Sequence, residues 1–335
     1  MMRVIFFGTP QFSVPTLEAL IHHPEFEVVG VVTQPDKRRG RGSKMIPSAV
    51  KKVAISHDIQ VWQPKRVKKS SETLEELRRS QADFFVVVAY GQILSTEILE
   101  IPKFGCINVH GSLLPEYRGA APIQWSICDG KTETGITTML MNGGLDTGDM
   151  LLKAITPIGL LDNTVDVAIR LANVGAELLI ETLQKLATDK LVSIEQDDEL
   201  SSYARLLKKD DYVLNWQDDA LAIHNRVRAF YPSCVTSFRE QKLKVKATVP
   251  LLEDQLNLLP QEYQDIYSQV SELDLSAAKN GEVVSILKNF GAVVKASQGL
   301  LLLKEVQLAG KKTQSGWDFV NGMRVKVGDV VGSSD

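Results

Sequence analysis

Residues 84–89, Phe-Phe-Val-Val-Val-Ala, constrain the fold of this chain more than any other segment. All six are apolar, Asp83 precedes them, and Tyr90 and Gly91 follow them. A strand that is apolar on both faces is typical of a parallel sheet covered by helices on both sides, because neither face then meets water. The segment therefore predicts a buried strand of an α/β domain.

The first half of the chain alternates predicted strands with predicted helices. Apolar and β-branched runs predict the strands, and apolar spacings of three and four predict the helices. The strands are expected at residues 3–7, 27–33, 84–89, 106–109, 135–141 and 150–155, and the helices at residues 14–22, 47–56, 73–80 and 162–186. This order predicts a doubly wound, mostly parallel sheet that binds ligands at the carboxyl ends of its strands.

The composition changes after about residue 190. Residues 193–202 are polar and acidic and predict a linker. Short strands with turn signals between them predict a small β-barrel, at residues 235–238, 243–249, 283–287, 292–296 and 300–306. A length of 335 residues favours two domains. We therefore expect a first domain over residues 1–189, a linker over 190–207 and a barrel domain over 208–335.

Composition and missing motifs exclude several classes of protein. Hydrophobic residues make up 44% and charged residues 24%, which excludes wholesale disorder. No run approaches the roughly 20 apolar residues of a membrane-spanning helix, and the three widely spaced cysteines form no zinc or disulfide pattern. Gly8 stands alone where a dinucleotide fold would carry several glycines. We expect a cytoplasmic protein without a membrane partner.

The densest group of polar residues lies between residues 106 and 149. Asn108 and His110 alternate around Val109 as a strand ends, so their side chains share one face. Together an amide and an imidazole can donate two hydrogen bonds to a developing oxyanion, and the nearby Asp146 could orient the imidazole. No serine or cysteine nucleophile with a matching base is evident, which favours direct attack by a substrate group on a carbonyl. The alternative for each residue alone, and above all for Asp149, is a turn or capping role.

Two basic segments suggest contact with phosphate. Residues 37–44 carry five bases and no acid after a strand, although a solvated flexible loop is the simpler interpretation. Residues 204–246 carry nine bases against five acids, and Lys242, Lys244 and Lys246 project from one face of a predicted strand. Because the formal net charge of the chain is −3, any binding of nucleic acid would depend on such local patches.

The chain resembles the methionyl-tRNA formyltransferases over nearly its whole length. The most specific similarity is Cys-Ile-Asn-Val-His-Gly-Ser-Leu-Leu-Pro at residues 106–115. Further motifs are Phe-Gly-Thr-Pro at 7–10, Val-Val-Thr-Gln-Pro-Asp at 31–36, Val-Val-Val-Ala-Tyr-Gly at 86–91, Arg-Gly-Ala-Ala-Pro-Ile at 118–123 and Gly-Leu-Asp-Thr-Gly-Asp-Met at 144–150. The Asn-x-His and Asp residues are shared by the wider folate-dependent formyltransferases, whereas the 118–123 motif, the basic loop and the β-rich tail narrow the resemblance to the tRNA enzymes.

The resemblance implies a formyltransferase-like Rossmann-type domain followed by an OB-like barrel. It implies catalytic roles for Asn108, His110 and Asp146. It assigns binding of the folate to Ser112, Leu113, Leu114 and Pro115. Together with the basic segments, it predicts that tRNA binds to Arg38, Arg39, Arg41, Lys44, Arg226, Arg228, Lys242, Lys244 and Lys246.

The implied reaction transfers formyl from 10-formyltetrahydrofolate to the α-amino group of methionyl initiator tRNA, for translation initiation. Asn108 and protonated His110 would stabilise the oxyanion while Asp146 assists, and no metal is expected. We expect a monomer. The alternatives are a formyltransferase acting on a small amine, a formyl-folate hydrolase or dehydrogenase, and a non-catalytic RNA-binding relative.

The tail contains one segment where the resemblance is weak. Residues 251–278 carry six acids and no base. Tyr263, Ile266, Tyr267, Val270 and Leu273 follow a helical spacing. We expect an amphipathic helix that packs on the outer wall of the barrel, on a face turned away from RNA phosphates.

Overall fold

The structure is a computed structural model, and it describes residues 1–39 and 44–332, with the backbone only for Arg39 and Lys44. The chain forms two compact units. Unit 1 comprises Met1–Pro122, Thr134–Thr156 and Ala168–Arg205, and unit 2 comprises Ile123–Glu133, Pro157–Val167 and Leu206–Asp335. Residues 123–133 and 157–167 thus belong to unit 2 although they lie in the first half of the chain. The polar residues 193–202 belong to unit 1.

A seven-stranded sheet forms the centre of unit 1. Its strands, in chain order, are β1 (Met2–Gly8), β2 (Phe26–Val32), β5 (Val61–Trp62), β6 (Phe84–Val88), β7 (Cys106–His110), β9 (Glu133–Leu140) and β10 (Met150–Pro157). The strands lie in the order β10-β9-β7-β6-β1-β2-β5, and those from β7 to β5 are parallel to one another, while β9 runs antiparallel to β7. This confirms the predicted doubly wound, mostly parallel sheet.

Helices cover this sheet. They are α1 (Val14–His22), α2 (Ala49–Ser56), α3 (Ser71–Arg79), α4 (Thr96–Leu99) and α6 (Thr164–Ala187). All five residues of β6 are buried, as their uniformly apolar sequence predicts. After β5 the chain returns to the other side of β1 and forms β6 there. Such a reversal of strand order opens a crevice at the carboxyl ends of the strands, which is where an α/β sheet binds its ligands.

The basic segment after β2 is a hairpin. Strand β3 (Lys37–Arg39) pairs antiparallel with β4 (Lys44–Ile46), so Arg38 lies opposite Met45. The sequence indicated a solvated flexible loop or a phosphate-binding segment here and no strand, because the five bases and two glycines of residues 37–44 follow no strand pattern. Arg41, together with Gly40, Gly42 and Ser43, lies outside the described residues.

Unit 2 is built on an antiparallel sheet. Its strands are β12 (Val235–Phe238), β13 (Gln241–Leu251), β14 (Val283–Leu287), β15 (Gly291–Lys295), β16 (Leu300–Leu308) and β17 (Gln314–Ser315). They lie in the order β12-β13-β16-β15-β14, with β17 on β16. Val331 pairs with Phe238 at the end of β12, and Val330 pairs with Glu282 before β14. These pairs join the two edges of the sheet, which confirms the predicted barrel.

Four further helices and a short strand pair lie within the described residues. Unit 2 contains α5 (Pro122–Cys128) apart from its first residue, α7 (Ala220–Ala229), α8 (Gln261–Tyr267) and α9 (Gly316–Met323). In unit 1, β8 (Arg118–Gly119) pairs with β11 (Tyr203–Ala204). Among the described residues, no helix is long and apolar enough to cross a membrane.

The acidic segment folds against the barrel core, but its helix is shorter than expected. Tyr263, Ile266 and Val270 are buried in a cluster with barrel residues such as Val249 and Leu302. The helix ends at Tyr267, and the amides of residues 269 and 270 beyond it bond to carbonyls three residues back in tighter turns. The predicted stripe therefore packs as far as Val270, whereas Leu273 is exposed.

Candidate active site

Asn108 and His110 lie at the carboxyl end of β7, beside β6 in the sheet. The alternation of the strand places both on one face, and Val109 is buried on the other. The side chain of His110 is only 6% exposed. The two predicted oxyanion donors are thus adjacent at the edge where an α/β sheet binds ligands.

Asp146 lies between β9 and β10 and meets both of these residues. Its Oδ1 accepts a hydrogen bond from Asn108 Nδ2 at 3.3 Å, and its Oδ2 lies 3.7 Å from His110 Nδ1. The backbone amide of Gly119 donates a shorter hydrogen bond to Oδ2, at 2.9 Å. Asp146 has a φ of 54°, a left-handed conformation that aspartate tolerates better than most residues. The carboxylate therefore accepts hydrogen bonds from two donors, on β7 and β8, and lies beside the imidazole of His110.

The imidazole of His110 is oriented by a backbone carbonyl. Its Nε2 lies 2.9 Å from the carbonyl oxygen of Tyr117, which can only accept, so Nε2 carries a proton and donates it. Nδ1 then faces Asp146 at a distance beyond a direct hydrogen bond. This arrangement leaves Nδ1 as the ring nitrogen available to a substrate atom.

The backbone at Gly119 cannot accommodate a side chain. Its φ is 113°, and a Cβ there would lie 2.8 Å from the carbonyl oxygen of Ala204 and 2.9 Å from the ring of Tyr203. Only glycine fits this position without displacing β11. The glycine of the 118–123 motif thus allows the amide that binds Asp146 to approach closely.

Gln196 is a site residue that the sequence did not reveal. Its Nε2 donates to the carbonyl oxygens of Asp146 and Gly148, at 2.8 and 2.7 Å. Its Oε1 accepts a hydrogen bond from Arg118 Nε at 2.9 Å, and Gln196 and Arg118 are both buried. The surrounding acidic residues predicted a linker, and that pattern obscured the single glutamine among them.

The predicted folate segment is largely internal. Ser112 and Leu114 are fully buried, and the Ser112 hydroxyl donates to the carbonyl oxygen of Glu116 at 2.6 Å. Leu113 and Pro115 are partly exposed. Contact with a ligand from this segment would therefore involve its backbone and these two side chains. The structure places the segment directly after β7, next to the pair Asn108 and His110.

Asp149 is bound by residues 193–202, the polar stretch that also contains Gln196. Its Oδ2 accepts a hydrogen bond from the Ser193 hydroxyl at 2.8 Å, and the neighbouring Met150 pairs with Ile194. Asp149 thus holds a loop to residues 193–194, which agrees with the structural alternative considered for it.

The basic residues of the hairpin are only partly described. Arg38 is exposed in β3. Nothing further is described for the side chains of Arg39 and Lys44, and Arg41 lies outside the described residues. The sequence shows that the hairpin carries five bases, and the structure shows that its two strands pair.

The basic residues of unit 2 divide into exposed and buried ones. Lys242 is exposed, and Lys244 is partly exposed on the same face of β13. Lys246 is mostly covered, since its ammonium pairs with Glu305 at 2.9 Å. Arg226 is partly buried and donates to the carbonyl oxygen of Asp211 at 3.1 Å.

Arg228 does not fit the predicted role in RNA binding. Its side chain is buried, and its guanidinium donates to Asn225 Oδ1 at 2.9 Å and to the carbonyl of Gly159 at 3.1 Å. Burial lowers its pKa to about 10. A buried guanidinium that already binds these oxygens cannot also reach a phosphate at the surface.

The chemistry of the site comes from hydrogen-bonding groups. Within residues 1–39 and 44–332, no three or more His, Cys, Asp or Glu residues are grouped so that they could hold a metal ion. The arrangement of Asn108, His110 and Asp146 supplies hydrogen-bond donors and one carboxylate. These groups can stabilise an oxyanion and accept a proton.

Comparison with protein families and curated proteins gave consistent matches. Residues 2–183 match the formyl transferase family, and residues 206–324 match the formyl transferase C-terminal domain. The methionyl-tRNA formyltransferase of Trichormus variabilis is 58% identical over 332 residues, which is 99% of each chain. That of Gloeothece citriformis is 60% identical over 329 residues, or 98% of each chain.

Solved structures share the fold at low identity. WlaRD, a sugar 3N-formyl transferase determined with dTDP and 5-N-formyl-THF, has a TM-score of 0.61 and 18% identity, covering 93% of this chain and 99% of that one. HypX from Aquifex aeolicus in complex with tetrahydrofolic acid has a TM-score of 0.60 and 13% identity, covering 97% of this chain and 48% of that one. At these identities the likeness concerns the fold alone.

Proposed function

Because this chain belongs to the formyl transferase family, we propose that it transfers the formyl group of 10-formyltetrahydrofolate to the α-amino group of methionyl initiator tRNA. The observation that carries the proposal is the identity of 58–60%, over nearly the full length, to curated methionyl-tRNA formyltransferases. The site supports it because Asn108, His110 and Asp146 provide the groups that such a reaction requires.

The reaction is a direct acyl transfer between two amines. The α-amine attacks the formyl carbon, and the carbonyl oxygen becomes an oxyanion. Asn108 donates one Nδ2 hydrogen to Asp146 and offers the other to this oxyanion, while protonated His110 offers Nδ1–H. When the oxyanion collapses, the bond from the formyl carbon to the folate amine breaks.

Proton transfer keeps this reaction in balance. The attacking amine must lose a proton, and the leaving folate nitrogen must gain one. Asp146 is the carboxylate at the site, so we assign it the transfer of this proton and the electrostatic support of charged His110. The hydrogen bonds from Asn108 and Gly119 hold its two oxygens in place during both steps.

Binding of the folate is assigned to the segment after β7. The partly exposed Leu113 and Pro115 offer apolar contact, and the buried Ser112 and Leu114 hold the backbone that presents them. Thr137 and Lys153 fix this backbone, since Thr137 Oγ1 accepts from the amide of Leu114 at 3.0 Å and the Lys153 ammonium donates to the Leu114 carbonyl. A rigid segment of this kind loses little entropy when it binds a flat ligand.

Binding of tRNA is assigned to two basic surfaces. The first is the hairpin, with Arg38, Arg39, Arg41 and Lys44. The second is on unit 2, with Arg226, Lys242, Lys244 and Lys246. Phosphate contacts of this kind would hold the methionyl amine in place, and free methionine would lack that positioning. We further propose a monomer in the cytoplasm, which sedimentation of the purified protein and fractionation of cells would test.

One assay decides between this function and its alternatives. Labelled formyl transfer is measured side by side to methionyl initiator tRNA, methionyl elongator tRNA, free methionine and an amino-sugar nucleotide. We expect rapid transfer to the initiator tRNA alone. Comparable transfer to either small amine would contradict the proposed acceptor, and release of formate without any acceptor would indicate a hydrolase.

A further inference from the structure

Residues 193–204 of unit 1 form a strap that joins the two loops of the site. At one end, Ile194 pairs with Met150 just after the Asp146 loop. At the other end, Tyr203 and Ala204 pair with β8, and Ser202 Oγ accepts a hydrogen bond from the amide of Tyr117 at 2.8 Å. The strap therefore contacts both the loop that carries Asp146 and the loop that supplies the Gly119 amide.

Gln196 is the strap residue that contacts both loops with one side chain. Its amide nitrogen bridges the carbonyl oxygens of Asp146 and Gly148, and its amide oxygen accepts from Arg118, next to Gly119. The residue is only 7% exposed. The hydrogen bonds to Arg118 and Gly148 are buried and the one to Asp146 is partly buried, so an unpaired carbonyl or guanidinium here would be costly.

We propose that Gln196 is a positioning residue that holds the Asp146 carboxylate at its distance from His110 and Asn108, and this inference rests on the proposed function. Asp146 is held in a left-handed conformation within a stretch that contains three glycines nearby. Such a backbone has many alternatives, so it stays in this conformation only when its carbonyls are fixed. Gln196 fixes two of them and links them to the strand that ends in Gly119.

The same geometry explains why this position requires an amide. A bridge between two carbonyl oxygens and a guanidinium needs two donors and one acceptor on a single side chain. Glutamine provides both donors from Nε2 and the acceptor from Oε1. Glutamate keeps the length and the acceptor for Arg118, but it turns a carboxylate oxygen toward the two carbonyls. Leucine keeps the bulk and removes every hydrogen bond.

The test measures kcat and KM for both substrates in Gln196→Leu and Gln196→Glu. We expect kcat to fall by about 10–100-fold in each, because a displacement on the order of 1 Å at a reacting group has an effect of this size. Both KM values should stay within about threefold, since Gln196 touches neither substrate in this proposal. Glu195→Gln is the matched control, because Glu195 is exposed beside Gln196, and its kcat should match the wild type.

A double-mutant cycle separates positioning from general stability. Asp146→Asn removes the group on which Gln196 is proposed to act, so adding Gln196→Leu to it should lower kcat by less than about threefold more. Effects that multiply would overturn the inference, as would a kcat within twofold of wild type in either single variant. Circular dichroism and Tm establish that each variant is folded. If Gln196→Leu does not fold, the Gln196→Glu pair decides by the same criteria.

The outcomes also separate this inference from the function on which it rests. If Asp146→Asn loses turnover and the Gln196 variants keep it, only the positioning role is overturned. Normal turnover in Asp146→Asn would remove the catalytic role of Asp146 and this inference with it. A wild-type protein that transfers no formyl group to methionyl initiator tRNA would contradict the proposed function itself.

Discussion

His224 in helix α7 is a buried histidine that makes unit 2 sensitive to acid. Its Nδ1 lies 2.9 Å from Thr248 Oγ1, its Nε2 lies 2.8 Å from the carbonyl oxygen of Leu160, and only 2% of the residue is exposed. Burial lowers its pKa from 6.5 to about 3, the hydrogen bond to Leu160 acts in the opposite direction, and the charge of Arg228 lowers it further. His224 is therefore neutral in the folded protein at every pH above about 4.

The unfolded chain binds a proton at this histidine when the pH falls below 6.5, whereas the folded chain does not. Stability therefore falls with falling pH throughout the interval between 6.5 and 3, by up to about 1.4 kcal/mol for each pH unit. Between pH 7.5 and pH 5 the loss from His224 alone is about 2 kcal/mol. This value depends almost entirely on the unfolded pKa, because pH 5 is well above the folded one.

Urea unfolding followed by tryptophan fluorescence measures this loss. In a Trp62→Phe background the remaining tryptophans, Trp125, Trp216 and Trp317, all belong to unit 2. His224→Gln removes the titrating group and keeps an amide that can bond to Leu160 or Thr248. The free energy of unfolding should fall by about 2 kcal/mol more in the parent than in His224→Gln between pH 7.5 and 5. Equal losses in the two proteins would refute the reasoning, because all other titrating groups are common to both.

Four further predictions concern the site and the surfaces. His110→Ala and Asn108→Ala should each lower kcat of formyl transfer by about 100-fold or more, with tRNA affinity unchanged in a filter-binding assay; near-normal turnover would exclude a role in stabilising the oxyanion. Replacing all five bases at residues 37–44 should make the affinity for tRNA less dependent on salt concentration. The slope should decrease by about 0.7–0.9 log units for each phosphate that the hairpin no longer neutralises. An unchanged slope would show that the hairpin is a solvated segment that contacts no phosphate. Arg41→Ala should impair use of tRNA far more than binding of folate. Replacing Tyr263, Ile266 and Val270 by serine should lower Tm without a change in folate affinity. Conversion of the six acids of residues 251–278 to amides should leave formyl transfer unchanged. A loss of transfer in this amide variant would contradict the placement of the segment away from the RNA.

The strands were predictable because their signals are local. Buried strands in a parallel sheet need apolar residues on both faces, so β6 shows as an uninterrupted run. The strands of the barrel are short and bounded by turn residues, and β12 and β14 begin and end at the predicted residues. The shared face of Asn108 and His110 followed from the period of two in a strand whose end could be located in the sequence.

Contacts made by helix ends and buried charges were less predictable. At the start of α6 the side chain of Asn163 accepts the hydrogen bond from the amide of residue 165 at 2.8 Å, and the sequence does not distinguish Asn163 from its polar neighbours Asp162 and Thr164 as the cap. Arg228 carries the same charge as the partly buried Arg226 two residues earlier, yet its distant partner, the carbonyl of Gly159, is fixed only by the folded unit 2. A basic residue on a helix gives no indication of whether its guanidinium faces a phosphate or a carbonyl.

Gln196 illustrates the limit most clearly, although a physical argument could have pointed to it. The stretch from Gly143 to Gly148 contains three glycines, so few of its own side chains can satisfy its carbonyls. If Asp146 is catalytic, its loop must be fixed, and the donors must then come from another part of the chain. The glutamine within this acidic stretch is a reasonable candidate, because its amide can donate two hydrogen bonds to carbonyl oxygens and the carboxylates around it cannot. That argument identifies the residue type but not its distance along the chain, which only the folded pairing of Ile194 with Met150 determines.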